Sequence, residues 1–237
     1  MEKNEFFKIL LDTVSREYSG MDNDSSVWRQ LLAEQPRTVP ELKISPQIKP
    51  EGKNINSNSS AVESTGTLSS ADMTALAKMV KDCHRCNLRG GCRQTVFGEG
   101  NYHADLMFVG EAPGAEEDAT GRPFVGKSGQ LLDKMIQAMQ FQRSEVFIGN
   151  IVKCRPPGNR NPMPEEADAC IGYLKRQIEL IKPKVLVLLG ATPLLFLMNI
   201  SGIKRNRGKW LEYNGIPVMP TFHPAYLLHS PGDKRLG

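Results

Sequence analysis

No stretch of the 237 residues approaches the apolar length needed to span a bilayer. The first residues also lack the uninterrupted apolar run of a secretory signal, because Glu2, Lys3, Glu5, Lys8 and Asp12 break it. The chain is therefore expected in a reducing, cytoplasmic setting, without a membrane. Cysteines are few and odd in number, at five. That combination argues against a disulfide framework and makes the closely spaced ones candidates for metal ligation or redox chemistry. Residues 36–67 are poor in large apolar side chains and carry Pro36, Pro40, Pro46, Pro50 and a polar run from 54 to 60, the composition of a linker or disordered segment. Strong charge of either sign is lacking too. The net charge of +4 hides an uneven spread: residues 1–77 hold 8 basic and 11 acidic side chains, residues 78–237 hold 22 and 15. A basic second part suits a polyanionic partner, although a surplus of this size is equally the mark of a solvated surface.

Helical spacing of Phe6, Ile9, Leu10, Val14, Val27, Leu31 and Leu32, broken near Ser19 and Gly20, predicts two short amphipathic helices in an N-terminal extension over 1–35. The linker is placed at 36–70 and a catalytic-sized domain at 71–237. A helix from about Ala71 leads into the first cysteines. Strands are expected at 106–109, 146–152, 185–189 and 218–222, with helices at 129–139, 165–181 and 193–198. The run Val185, Leu186, Val187, Leu188, Leu189 is apolar on both faces, as in the middle of a parallel sheet covered by helices. The fold class expected is α/β: a three-layer open sandwich with a mainly parallel central sheet flanked by helices. Ligands in such folds bind at the carboxyl ends of the strands, and the informative motifs fall there.

Cys83 and Cys86 form a tight pair, while Cys154 and Cys170 form a loose one, with Cys154 expected to end a strand and Cys170 to lie inside the next helix. Four thiolates close either a tetrahedral zinc site or a cubane iron-sulfur cluster. Zinc modules usually present two tight pairs, so the loose one favours the cluster; burial of Cys154 and Cys170 as plain apolar residues stays open. Cys92 is a spare thiol that competes for a ligand's role.

After the first strand comes Gly110-Glu111-Ala112-Pro113-Gly114, then a glycine-containing stretch through Phe124 to Gly129. Glycines there permit close backbone approach to a ligand, a helix starting near Ser128 presents free amides to a phosphate, and Glu111 stands where it can orient a water. Asn150 follows the second strand and His223-Pro224-Ala225-Tyr226-Leu227-Leu228 follows the last. Singly, each is as ordinary as a loop acid or a surface histidine. Three such groups at separate strand ends are a pattern.

In combination and order, these motifs resemble the family 4 uracil-DNA glycosylases, the iron-sulfur members of that superfamily, over about residues 80–235. The resemblance implies a [4Fe-4S] cluster on Cys83, Cys86, Cys154 and Cys170, which shapes the protein without being the catalyst. It implies a catalytic pair, Glu111 and His223, with Gly110, Ala112 and Gly114 lining the uracil site, Phe124 stacking on the base and Asn150 reading its edge. Family 5 relatives lack the acid that this chain keeps at Glu111. The covalently trapping relatives insert a basic loop that is missing between Gly149 and Cys154, so turnover is expected. Members of the family continue into a final helix beyond Leu236, short of which this sequence stops. Extended relatives have also been described as polymerase-related, which leaves a non-catalytic, DNA-binding or replication-associated iron-sulfur protein as the alternative.

A base inside a duplex is out of reach, so such an enzyme extrudes it, more easily from single strands or mismatches. Phosphate contacts are expected from Lys127, Ser128, Arg205 and Arg207, with Lys204 and Lys209 in the same basic cluster, and a wedge from Tyr226, Leu227 and Leu228. The expected partners are uracil-containing DNA and released uracil, with the protein a monomer and its N-terminal extension a binding segment for a repair or replication protein.

Overall fold

The computed structural model describes residues 70–229. The expected N-terminal helices and the linker up to residue 69 lie outside the described residues. Ser70, placed in the linker by composition, is instead the first residue of helix α1 (Ser70–Lys81). The chain continues through α2 (Leu88–Gly91), β1 (Glu99–Gly100), β2 (Leu106–Gly110), α3 (Ala115–Thr120), α4 (Lys127–Ala138) and β3 (Phe147–Asn150). A 3-10 turn (Pro157–Asn159) precedes α5 (Pro164–Ile181), β4 (Val185–Leu189), α6 (Ala191–Met198) and α7 (Ile203–Asn206), and then come β5 (Leu211–Tyr213), β6 (Ile216–Thr221) and α8 (Pro224–His229). Among the described residues no helix is long and apolar enough to cross a membrane.

The six strands form one sheet in the order β1-β3-β2-β4-β6-β5, with the four inner strands parallel and only the short edges antiparallel. Period-two alternation sends neighbouring residues into different layers. Met107, Val109, Leu186 and Leu188 pack with α1, α5 and α6, whereas Leu106, Phe108, Val185 and Val187 pack with Leu132 and Ile136 of α4. Both faces are therefore covered, which is why β2 and β4 are apolar at every position and fully buried. The result is the three-layer α/β sandwich that the continuous apolar runs imply.

Connections leave β2 towards β3 on one side and β4 towards β6 on the other. The crevice between the carboxyl ends of β2 and β4 is thus the topological switch point, where open α/β sheets hold their ligands. Element boundaries differ from expectation in one place of consequence. The apolar run 146–152 suggests one long strand, but regular β3 ends at Asn150; Ile151 and Val152 stay fully buried and still donate to the Gly110 and Glu111 carbonyls, and Cys154 lies in irregular chain four residues past the strand. Burial alone keeps such a run apolar, and periodicity cannot show where pairing stops.

Helix α4 begins against the loop before it. A Cβ added at Gly129 would lie 2.0 Å from the Phe124 carbonyl oxygen. Glycine to alanine inside a helix ordinarily stabilises by about 1 kcal/mol; here overpacking should dominate, and Gly129→Ala is expected to cost about 1–3 kcal/mol in a denaturant titration. A stabilised variant would contradict this seating of the helix.

Candidate active site

Gly110 closes β2 in register with Asn150, the last residue of β3. A Cβ at Gly110 would lie 2.4 Å from Asn150 Oδ1 and 2.6 Å from the Phe124 ring. Only glycine lets amide and ring meet there. Asn150 is 1% exposed, and among the described residues neither its Oδ1 nor its Nδ2 has a hydrogen-bond partner. An unsatisfied buried polar group of this kind costs about 1–3 kcal/mol, so its retention calls for a physical reason.

Phe124 adopts φ 50°, a left-handed conformation that is costly for a bulky side chain, and it is buried. Two side chains hold it. Arg143 donates to the carbonyls of Pro123 and Phe124 on one side, and Glu117 Oε1 accepts from the amides of Val125 (2.9 Å) and Gly126 (3.0 Å) on the other. Glu117 Oε2 also accepts from the Gly114 amide at 3.0 Å, which fastens the whole turn to α3. Arg143 is itself anchored by Asp133 at 2.7 Å and by Glu99. Strain this well over-determined is what functional loops store. Neither clamp residue stands out in the sequence, since a lone Arg and one acid among three carry no motif.

His223, just past β6, packs its ring 5.6 Å from that of Phe124. Its Nδ1 accepts from the Ala225 amide at 3.1 Å, so a neutral ring carries its proton on Nε2. Burial pushes its pKa down to about 4, against a smaller upward pull from the Glu117 carboxylate. Gly190, at φ 100°, keeps β4's end off the ring: an added Cβ would lie 3.1 Å from His223 Cβ. Glu111 follows Gly110 and accepts a very short hydrogen bond from the Thr192 hydroxyl, two residues beyond Gly190, across the β2–β4 crevice. Burial raises the Glu111 pKa above its ordinary value, with the Thr192 bond opposing. Gly110, Phe124, Asn150 and His223 thus form one contact chain, and Glu111 joins it through Gly110. Ala112 and Gly114 lie in the same turn, both partly exposed.

A second site lies beyond Asn150. Cys83, Cys86, Cys154 and Cys170 all line one cleft, from which Cys92 is absent. Cys92 is buried beside it and donates to the Arg89 carbonyl. Burial raises the thiols of Cys154 and Cys170, the latter opposed by the Lys153 cation. Among the described residues no three His, Cys, Asp or Glu side chains are close enough to share a single metal ion. The Lys153 amide donates to Cys170 Sγ at 3.3 Å, and the Nε of Arg89, also on the cleft, is buried without a partner.

The expected DNA contacts are mixed in placement. Lys127 and Ser128 open α4, with Lys127 exposed and Ser128 partly so; Lys204, Arg205 and Lys209 are exposed, and Arg207 lies 4.8 Å over the Phe222 ring. Leu227, expected on the DNA surface, is instead 2% exposed in a cluster with Leu131, Met135 and Phe222, because α8 turns that face onto α4. Tyr226 and Leu228 are the partly exposed residues of the segment.

A doubly covered parallel sheet with ring, amide, imidazole and carboxyl gathered at its strand ends defines an open α/β protein with these groups at its switch point. The chain belongs to the uracil DNA glycosylase superfamily, whose model matches residues 97–236. It is 47% identical over 167 residues to the type-4 uracil-DNA glycosylase of Thermotoga maritima, covering 68% of this chain and 86% of that one. With the type-4 enzyme of Saccharolobus solfataricus the identity is 44% over 175 residues, covering 70% and 81%. A DNA polymerase of Bacillus phage SP01 shares 32% over 135 residues, 56% of this chain and 15% of the polymerase.

The histidine's state is directly measurable. Its depressed pKa means that the unfolded ring gains its proton near 6.5 and the folded ring only near 4, so stability from this group falls as pH drops through that window. In ¹⁵N-histidine spectra, His223 should stay neutral with Nε2 protonated from pH 8 to about pH 5. An imidazolium signal at pH 6 would contradict the burial assigned to it.

Proposed function

We propose that this chain is a uracil-DNA glycosylase of the type-4 kind, releasing uracil from DNA to leave an abasic site and so opening base excision repair. The observation that carries the reading is the unpartnered amide of Asn150 beside the Phe124 ring. Uracil presents an acceptor at O4 and a donor at N3, which an Asn side chain matches with Nδ2–H and Oδ1. Cytosine reverses that pattern and leaves buried groups unpaired. The everted base stacks on Phe124 while its O2 takes a hydrogen bond from His223 Nε2–H.

Hydrolysis breaks the bond between N1 of uracil and C1′ of the sugar, the electron pair leaving with uracil, while one water supplies hydroxyl to C1′ and its other proton ends on the released base. The leaving uracil carries negative charge, and a neutral donor fixed at O2 stabilises it in the manner of an oxyanion hole. The sugar gains cationic character; Glu111, held by Thr192, orients the water and opposes that charge. Lys127, Ser128, Arg205 and Arg207 supply phosphate contacts, and Tyr226 with Leu228 fills the gap left by the base.

Cys83, Cys86, Cys154 and Cys170 fit a [4Fe-4S] cluster: four thiols line one cleft, no three of them close enough to share a single ion, with a backbone N–H on one sulfur and the Arg89 Nε buried without a partner among the described residues. Bound there, the cluster supplies cross-links between distant segments. The protein is taken to act as a monomer, with its N-terminal extension over 1–35 binding a repair or replication protein. The likeness to a stretch of a phage DNA polymerase favours the second reading, a non-catalytic replication component.

One assay separates the readings: incubation with a uracil-containing oligonucleotide, then alkali to break abasic sites. Strand breakage is expected, with Glu111→Ala and His223→Ala each about a hundredfold slower, equivalent to about 3 kcal/mol. No breakage by the wild-type protein would leave the binding reading. Brown protein with broad visible absorbance, lost in Cys170→Ser, is the outcome expected for iron; a colourless protein that retains zinc would overturn it.

A further inference from the structure

Lys153 lies between the two sites, its backbone on the thiol cleft and its side chain without a role in either so far. It is 1% exposed, with its ammonium 2.9 Å from the Asn150 carbonyl oxygen and 2.7 Å from Gln177 Oε1. Gln177, fully buried on α5, donates from Nε2 to the Phe97 carbonyl at 2.9 Å. The Lys153 backbone is fixed as firmly: its amide donates to Cys170 Sγ and its carbonyl accepts from Val96 at 2.7 Å. A buried ammonium is expensive unless well bonded, and methionine or leucine would fill the same space without that cost. A hydrogen bond from a charged donor is also the stronger kind.

We propose that Lys153 is a positioning residue that locks the end of β3 and so aims the Asn150 amide at the base, coupling the thiol cleft to base recognition. The inference rests on the reading of Asn150 as the base reader. β3 ends at Asn150, and the peptide that follows it is held on its N–H by the Gly110 carbonyl at 3.0 Å and on its C=O by the Lys153 ammonium at 2.9 Å. The ammonium grips that peptide's carbonyl, while three bonds to other segments hold the residue that carries the ammonium. A displacement at Cys170 therefore reaches Asn150 through one side chain.

The test is a double-mutant cycle on purified, iron-loaded protein, using Lys153→Met, Asn150→Ala and the double variant. Iron content, thermal midpoint, free-uracil affinity by calorimetry and single-turnover uracil release are measured for each. Lys153→Met should retain iron and slow release about tenfold with weaker uracil binding, the scale of one charge-assisted bond. In the Asn150→Ala background the same change should slow release less than about twofold, while the drop in thermal midpoint is equal in both backgrounds. Equal slowing in both backgrounds, or wild-type release and uracil affinity with iron retained, overturns the proposal. If Lys153→Met does not fold, Gln177→Leu, which frees the ammonium from its second partner, replaces it in the same cycle with the same pattern required. Wild-type release by Asn150→Ala alone would sink the underlying reading instead, so the two failures are distinguishable.

Discussion

A primary amide sealed from water with nothing to bond is a standing cost to any fold, about 1–3 kcal/mol, and among the described residues of this protein that cost sits at the end of a central parallel strand. Asn150 cannot relieve it by turning away, because Gly110, Phe124 and the strand backbone surround its side chain. The surrounding structure is intelligible as the means of keeping that amide in place. Glycine at 110 removes the one side chain that would block it. Phe124 is forced into a left-handed backbone beside it, and Arg143 and Glu117 seize the peptides on either side of that distortion.

The same economy governs charge around the crevice. Burial keeps the His223 imidazole neutral and a backbone amide selects which nitrogen bears the proton; the same burial makes the Glu111 carboxyl reluctant to ionise, with Thr192 as counterweight. Groups so placed are preorganised, with little rearrangement left for the reaction itself. On the far side of β3 the chemistry changes from oxygen and nitrogen to sulfur within four residues, from Asn150 to Cys154. On the proposed reading, that short interval is how a group bound by the thiols, with no place in the reaction, would still matter to base recognition.

Much of this is legible in the residues alone, and the limits have physical reasons. Doubly apolar runs such as Val185–Leu189 announce buried parallel strands, and those strands direct attention to Glu111, Asn150 and His223 at their ends. The four thiols of the cleft are likewise picked out by spacing and resemblance. The short edges β1 and β5 and helices α2, α3, α7 and α8 leave no period to read in two to six residues. Arg143, Thr192 and Lys153 are invisible because their partners are contributed by other elements or by backbone atoms, which a residue pattern does not encode. Leu227 misleads because an apolar residue four positions past a strand-end histidine suits a wedge and a helix core equally well.

The central claim, that Asn150 is held open for one particular base edge, is tested most directly by following its side-chain amide signals in ¹⁵N-labelled protein while free uracil is added. The account predicts that both Nδ2 protons shift saturably with uracil and stay in place with cytosine. Signals unmoved by uracil, or moved equally by both bases, would contradict it.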